Sequence, residues 1–344
     1  VLTQAETIGA DVRACIEAVE ESYDNVPVTS LVHGTTVAAN TVLELSGAKT
    51  GLITTRGFRD ELEIRRLARP SIYSVFWERS PPLVPRRHRL EVAGRPTVDG
   101  EIDEPLDLEA VKAAAERLSL EGIEALAISF LHAYANSEHE DAAYQVARSV
   151  LPNIPICVSN TVLPEVREYE RTSTTALNAY LMPAVHKYLD QLDDALGHLP
   201  VELRVMQSNG GIMSAARSRA RPVNMIESGP AAGVLAAASL ARTLGMQRVV
   251  SFDMGGTTAK GAIVKGGVPL KRYRLEAARE HEYKAGSGIP SLFQEFKMAV
   301  RMTSLTFSGG AEHCGSIIIA FNISFLCEVQ ITAIGLGFAS KGVF

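Results

Sequence analysis

Asp253, Gly255, Gly256, Thr257 and Thr258 stand within the stretch VVSFDMGGTTAKGAIV at 249–264, and their types suit one kind of chemistry. A glycine pair lets successive backbone N–H groups turn toward an anion with no Cβ in the way. Threonine hydroxyls add donors, and an aspartate at a strand end can hold a metal ion through water. The combination suits a nucleotide phosphate carried with Mg²⁺. It also suits an ordinary hairpin with a Gly-Gly turn, and residue types alone do not separate the two readings.

The elements around this stretch are those a phosphate loop needs. An apolar β-branched run at 249–252 leads in and a second run at 261–264 leads out, which predicts strand, tight turn, strand. A predicted strand at 203–206 ends in Gln207, Ser208, Asn209, Gly210 and Gly211. Glu227, Ser228, Gly229 and Pro230 open an alanine-rich helix running to about Leu244, with Pro230 suited to its first turn. These three loops surround one cleft if their strands are neighbours. A fourth candidate is His33, Gly34, Thr35 and Thr36, between a short strand at 29–32 and a helix that Gly47 is placed to end. With the strand at 50–54 this predicts a βαβ-type unit whose turn offers N–H groups to phosphate or to a substrate carboxylate. The plainer reading is that Thr35 or Thr36 caps the helix.

The rest of the first half alternates helices (12–21, 108–120, 137–151) with strands (123–130, 154–158), as in a sheet flanked by helices. The Arg-rich loop at 56–60 reads as a ligand-facing loop or as salt-bridged surface. The Pro- and Arg-rich segment 68–99, with the basic run Arg86-Arg87-His88-Arg89, reads as an inserted loop with short extended pieces and not a core element. His132, just past a strand end, reads as structural. A long helical pattern from Glu165 to about Leu196 contains Pro183, expected to kink or break it, and the hydroxyl run Thr172-Ser173-Thr174-Thr175, expected to pack on another backbone or line a cleft.

Composition narrows the function classes. The 344 residues are 46% hydrophobic and 21% charged, with net charge −5, which fits a soluble enzyme-sized chain and gives no support for nucleic-acid or membrane-surface binding. The four cysteines are scattered without C-x-x-C spacing, so neither a zinc site nor a disulfide framework is indicated, and a cytoplasmic location is expected. No G-x-x-x-x-G-K-[ST], G-x-S-x-G or H-E-x-x-H occurs, which argues against a P-loop nucleotide site, a serine hydrolase and a zinc protease.

Five motifs in order, HGTTVAANTVLELSGAKTGLITTRGFRDELEI (33–64), LPEVREYERTSTTALNAY (163–180), VMQSNGGIMS (205–214), ESGPAAGV (227–234) and SFDMGGTTAK (251–260), closely resemble the hydantoinase A/5-oxoprolinase family. The TTAK ending at Lys260 and GSGIP at 286–290 are more similar to the hydantoinase A branch. The resemblance implies an α/β actin/Hsp70/sugar-kinase-like ATPase fold of ribonuclease H-like domains with ATP and Mg²⁺ between them. Asp253 would hold the metal, and the four glycine-rich loops would hold the nucleotide. It implies ATP-dependent ring opening of a cyclic amide such as a hydantoin or 5-oxoproline, through a phosphorylated amide, commonly beside a hydantoinase B-type subunit. An ATP-dependent carboxylase subunit, a small-molecule kinase and a non-catalytic nucleotide- or subunit-binding protein are the alternatives, and no residue identifies itself as the water-activating base. The expected organisation is an N-terminal domain at 1–164, the start of the core domain at 165–290 and an atypical tail at 291–344. Family members begin with a D-x-G-G-T-F-T-D-like first phosphate hairpin, expected before Val1, so this chain alone is expected to be weak as an ATPase. After Pro290 the family pattern is expected to stop. The tail holds seven of the eleven phenylalanines and no aspartate, and reads as a coding-sequence error or a divergent extension.

Overall fold

The computed structural model describes residues 8–66, 81–197, 199–254, 259–272, 275–277, 289–291, 295–296, 298–300, 317–321 and 331–334. The elements in chain order begin with α1 (Ile8–Ser22), β1 (Ser30–His33), α2 (Val37–Leu43), β2 (Thr50–Thr55) and α3 (Glu61–Ile64). Next come β3 (Arg89–Val92), β4 (Arg95–Pro96), β5 (Ile102–Glu104), α4 (Leu108–Leu120), β6 (Ala125–Ser129), α5 (Glu138–Val150), β7 (Ile156–Val158) and α6 (Ser159–Val162). The long helix α7 (Glu168–Leu196) leads to β8 (Glu202–Met206), β9 (Ile212–Ser214), α8 (Ala215–Ala220), α9 (Ser228–Thr243), β10 (Arg248–Met254) and β11 (Ala259–Lys265).

A four-stranded parallel sheet, ordered β3-β2-β6-β7, carries the first half of the chain. Every residue of β2 and β6 is buried, as two-sided parallel strands require. Side chains alternate between the faces. Leu52, Ala125 and Ala127 join the core around α7, whereas Ile53, Leu126 and Ile128 pack with α4 and α5. The expectation of a sheet flanked by helices is met. A second, three-stranded sheet runs β1-β8-β9, and β10 and β11 pair antiparallel under α9.

Four expectations are corrected. The segment around His33 is not a βαβ unit, because β1 pairs with β8 while both edges of β2 are taken by β3 and β6. Gly47 does not end α2, which stops at Leu43 and turns at Leu45 with φ 52°. Gly47 instead passes so near Tyr180 that a Cβ would lie 2.2 Å from its ring, and its N–H donates to the Tyr180 hydroxyl at 2.8 Å. The segment 68–99 does reach the core: of its expected extended pieces, residues 89–92 form β3 beside the buried β2. Arg89 is fully buried because its guanidinium reaches the carbonyls of Val84 and Arg59 and the Glu63 carboxylate. The other residues of that loop at 68–80, including Trp77, lie outside the described residues.

Pro183 does not break α7 either. Leu177, Leu181, Val185, Leu189, Leu192 and Leu196 recur at helical spacing and are all buried, so packing outweighs the ~3 kcal/mol that proline costs inside a helix. The hydroxyl run is also accommodated: Thr174 and Thr175 donate to the carbonyls four residues back, at 2.6 and 2.7 Å. Thr172 Oγ1 lies 2.8 Å from Ser129 Oγ on β6. Cys157 is free and buried. Among the described residues, no helix is long and apolar enough to cross a membrane.

Candidate nucleotide-phosphate site

Parallel pairing of β1 with β8 sets His33 beside Val205, so the loops after both strands leave from the same sheet end. Helix α9 starts against them. Ser228 is fully buried, and its Oγ accepts from the Thr35 N–H at 3.2 Å and donates to the Thr35 carbonyl at 2.8 Å. One serine thus satisfies both backbone groups of a residue 193 positions away. Gly34 and Gly229 lie against one another here, with the position of a Cβ on Gly34 3.4 Å from the Gly229 Cα. The third loop is tied in by Ser208, whose N–H and Oγ each donate to the Asn224 carbonyl at 2.8 Å. The Glu227 N–H in turn donates to Ser208 Oγ at 3.3 Å.

The hairpin β10–β11 brings in charge. Asp253 lies across from Lys260 in the strand register, and Lys260 forms an ion pair with Glu227 Oε2. Burial raises the Asp253 carboxyl above its ordinary range, Lys260 opposes that rise and Glu227 adds to it, so the three groups share one electrostatic environment. Gly255, Gly256, Thr257 and Thr258, the tip of this hairpin, lie outside the described residues.

Not every candidate joins this junction through its side chain. Asn209, Gly210 and Gly211 form the turn between β8 and β9. Asn209 Oδ1 accepts from the Gly211 N–H at 2.7 Å, and Gly210 takes the positive φ (82°) that the turn requires. The His33 imidazole is occupied elsewhere: Nε2 lies 2.5 Å from the Tyr188 hydroxyl, and the two rings stack at 5.8 Å. Burial lowers His33 to about 4, so it is neutral at physiological pH. Thr35 Oγ1 accepts from the Val37 N–H at 3.2 Å, while Thr36, at the N-cap position of α2, makes no side-chain cap bond. Thr36 Oγ1 accepts from Asn40 Nδ2 at 3.4 Å.

Sequence reasoning missed the side chains of Glu227 and Lys260. A signal was present: Lys260, Ala262 and Val264 share one strand face, and all three are buried, so a lysine falls where the alternation demands an apolar residue.

A second polar cluster sits at the opposite end of α7. Glu61 Oε2 accepts from Thr172 Oγ1 at 3.2 Å, and the fully buried Glu170 pairs with Arg66. Burial raises Glu61 to about 7, against the hydrogen bond from Thr172 and with the help of Glu168. The sixteen helical steps from Thr172 to Tyr188 span about 24 Å, which removes Glu61 from direct chemistry at the loops beside His33. His132, with φ 56°, lies 3.9 Å from Glu168 near this cluster. Arg56 and Arg59 pair with Glu104 and Glu91, the surface role first weighed for them.

Comparison with known proteins bears on the family and the fold. The hydantoinase/oxoprolinase N-terminal region model matches residues 1–151 and the hydantoinase/oxoprolinase model matches residues 171–321. The second match runs beyond Pro290, where the family pattern was expected to stop, and takes in the strand Ile317–Phe321, which pairs parallel with β10. The caprolactamase alpha subunit of Pseudomonas jessenii is 38% identical over 240 residues, 69% of this chain and 34% of the relative. The ATP-dependent caprolactamase structure from that organism superposes with a TM-score of 0.70 at 31% identity, over 84% of this chain and 42% of the other. The nucleotide-free acetone carboxylase structure superposes with a TM-score of 0.75 at 24% identity, over 87% and 44% of the two chains, a likeness of fold. The chain therefore spans less than half the length of these relatives. With both family models matched in order along the chain and the mixed α/β ATPase fold in place, the protein belongs to the hydantoinase/oxoprolinase family.

Proposed function

We propose that the junction of the His33–Thr36, Gln207–Gly211, Glu227–Gly229 and Asp253–Thr258 segments holds the phosphates of ATP, and that the protein serves ATP-dependent ring opening of a cyclic amide. The observation that carries this reading is the Ser228 clamp on Thr35, which draws together segments far apart in sequence beside the Asp253 hairpin. Membership of a family with ATP-dependent members supports it. An unstrained lactam is a poor electrophile. Transfer of the γ-phosphoryl to the amide oxygen gives an imidate-like phosphate that water can attack, with phosphate as leaving group. Positioning and charge stabilisation are then the protein's main contributions.

Mg²⁺ would arrive with the nucleotide and neutralise charge on the transferring phosphoryl. Among the described residues there is no group of three or more His, Cys, Asp or Glu that could cage a metal. A single half-buried carboxylate, Asp253, fits an ion that keeps most of its ligands as phosphate and water. A partner subunit of hydantoinase B type is part of the proposal, as is a cytoplasmic location. The test is ADP release and product analysis by the full-length protein with its partner, given caprolactam, a hydantoin, 5-oxoproline, or a ketone with bicarbonate. Ring-opened product with ADP is expected, and Asp253→Ala should lower turnover by at least about a hundredfold with the fold intact. ADP formed only with ketone and bicarbonate would transfer the reading to a carboxylase.

A further inference from the structure

A lysine on a buried strand face needs a partner, and Lys260, 5% exposed, has one in Glu227. It also stands across the hairpin from Asp253, so one ammonium lies among two carboxylates and the group carries one net negative charge. A polyphosphate placed beside that group meets repulsion from both acids, little screened in a partly buried place. Among the described residues of 33–36, 207–211, 227–229, 253–254 and 259–264, Lys260 is the one side chain with a permanent positive charge. The other donors there are neutral N–H and hydroxyl groups.

We propose that Lys260 is the cation of the phosphate site, held in place by Glu227 and transferred to the terminal phosphates of a nucleoside triphosphate when it binds. This rests on the phosphate reading above and extends it to a residue pair. The lysine stem is long and its ammonium rotates freely, so it changes partner without backbone movement. The Glu227 main chain stays fixed meanwhile by its N–H bond to Ser208 and by its carbonyl, which accepts from the Ala231 N–H at 3.0 Å. Glu227 therefore competes with the ligand for the ammonium, and nucleotide affinity contains the cost of breaking the ion pair.

The competition gives opposite signs for the two partners. Calorimetric titration of Mg-ATP into the full-length protein compares wild type, Glu227→Gln, Lys260→Met and the double variant, with thermal unfolding of each as the check on folding. Glu227→Gln should bind about tenfold tighter, because the ammonium is released at no cost. The double variant should bind about tenfold weaker than wild type. Lys260→Met alone leaves a carboxylate unpaired and can lose stability, so the double variant, neutral at both positions, decides. A structural clasp predicts no tightening in Glu227→Gln and wild-type affinity in a folded double variant, and either result overturns the proposal. Uptake of ATP by wild type with equal affinity in all variants removes the role of Lys260 and leaves the phosphate site standing. Absence of uptake by wild type removes both.

Discussion

The two ends of α7 carry polar clusters built on opposite plans. Near Tyr188, the elements are loops, and the bonds run from side chains to backbone: Ser228 to Thr35, Ser208 to Asn224 and Glu227, with the His33 imidazole against the Tyr188 phenol. Near Thr172, the cluster is made of side chains on regular elements, with Glu61 on α3, Ser129 on β6 and Glu170 on α7. Burial acts on both in opposite directions, lowering a base to about 4 at one end and raising an acid to about 7 at the other. The difference teaches which cluster suits phosphate. The loop end offers close backbone approach and a lysine, while the α3 end presents three carboxylates, Glu61, Glu168 and Glu170, with Arg66 and Arg171 as counter-charges.

The largest way to break this comparison is to break the helix between the ends. Leu181 is fully buried midway along α7, so Leu181→Ala should cost about 2–5 kcal/mol and lower the unfolding midpoint while loosening both clusters together. Hydrogen exchange confined to one end would show that the ends are independent.

A sharper test uses pH. Glu61 binds its proton up to about pH 7 in the folded state but only to about 4.5 when unfolded, so its contribution to stability is present below 4.5 and is lost as pH rises to 7. His33 is neutral down to about pH 4 when folded but charges near 6.5 when unfolded, so its contribution is present above 6.5 and is lost as pH falls to 4. The two slopes oppose one another in wild type. Relative to wild type, Glu61→Gln should gain about 3 kcal/mol on going from low to neutral pH. His33→Asn should change by about 2 kcal/mol in the opposite sense, reduced because the ring is partly solvated. Denaturant unfolding across this range reads both, and parallel profiles would refute the opposed arrangement.

Smaller still, Ser228→Ala should cost about 1–3 kcal/mol by leaving the Thr35 backbone groups unsatisfied, with a matching loss of nucleotide uptake and no change in the pH profile assigned to Glu61. The smallest effect belongs to Arg56→Ala. Its ion pair with Glu104 is open to solvent on both sides, and removal should shift stability by less than about 1 kcal/mol and leave both clusters unchanged.

Much of this was legible in the residues. Helix α4 occupies 108–120 as its periodicity required, and the strands flanking Gly255 and Gly256 pair antiparallel over a seven-residue register. Local pattern decides such elements, because apolar spacing selects the helix or strand period before any partner is known. The same local reading erred where a partner mattered. Strand β1 lies close in sequence to β2 yet pairs with β8, because both edges of β2 are occupied. Gly47 looked like a helix stop and serves instead as a gap for the Tyr180 ring.

By itself, then, the sequence determined the family, the alternating α/β order and the glycine-rich loops. These depend on residue types at short spacing and on motifs in fixed order. Only the tertiary structure decided that Ser228 holds Thr35, that His33 is given over to Tyr188, and that Lys260 pairs with Glu227 beside Asp253. Those contacts join residues from 33 to 193 positions apart, and burial, charge and partner choice at such distances exist only once the chain has closed its loops around α7.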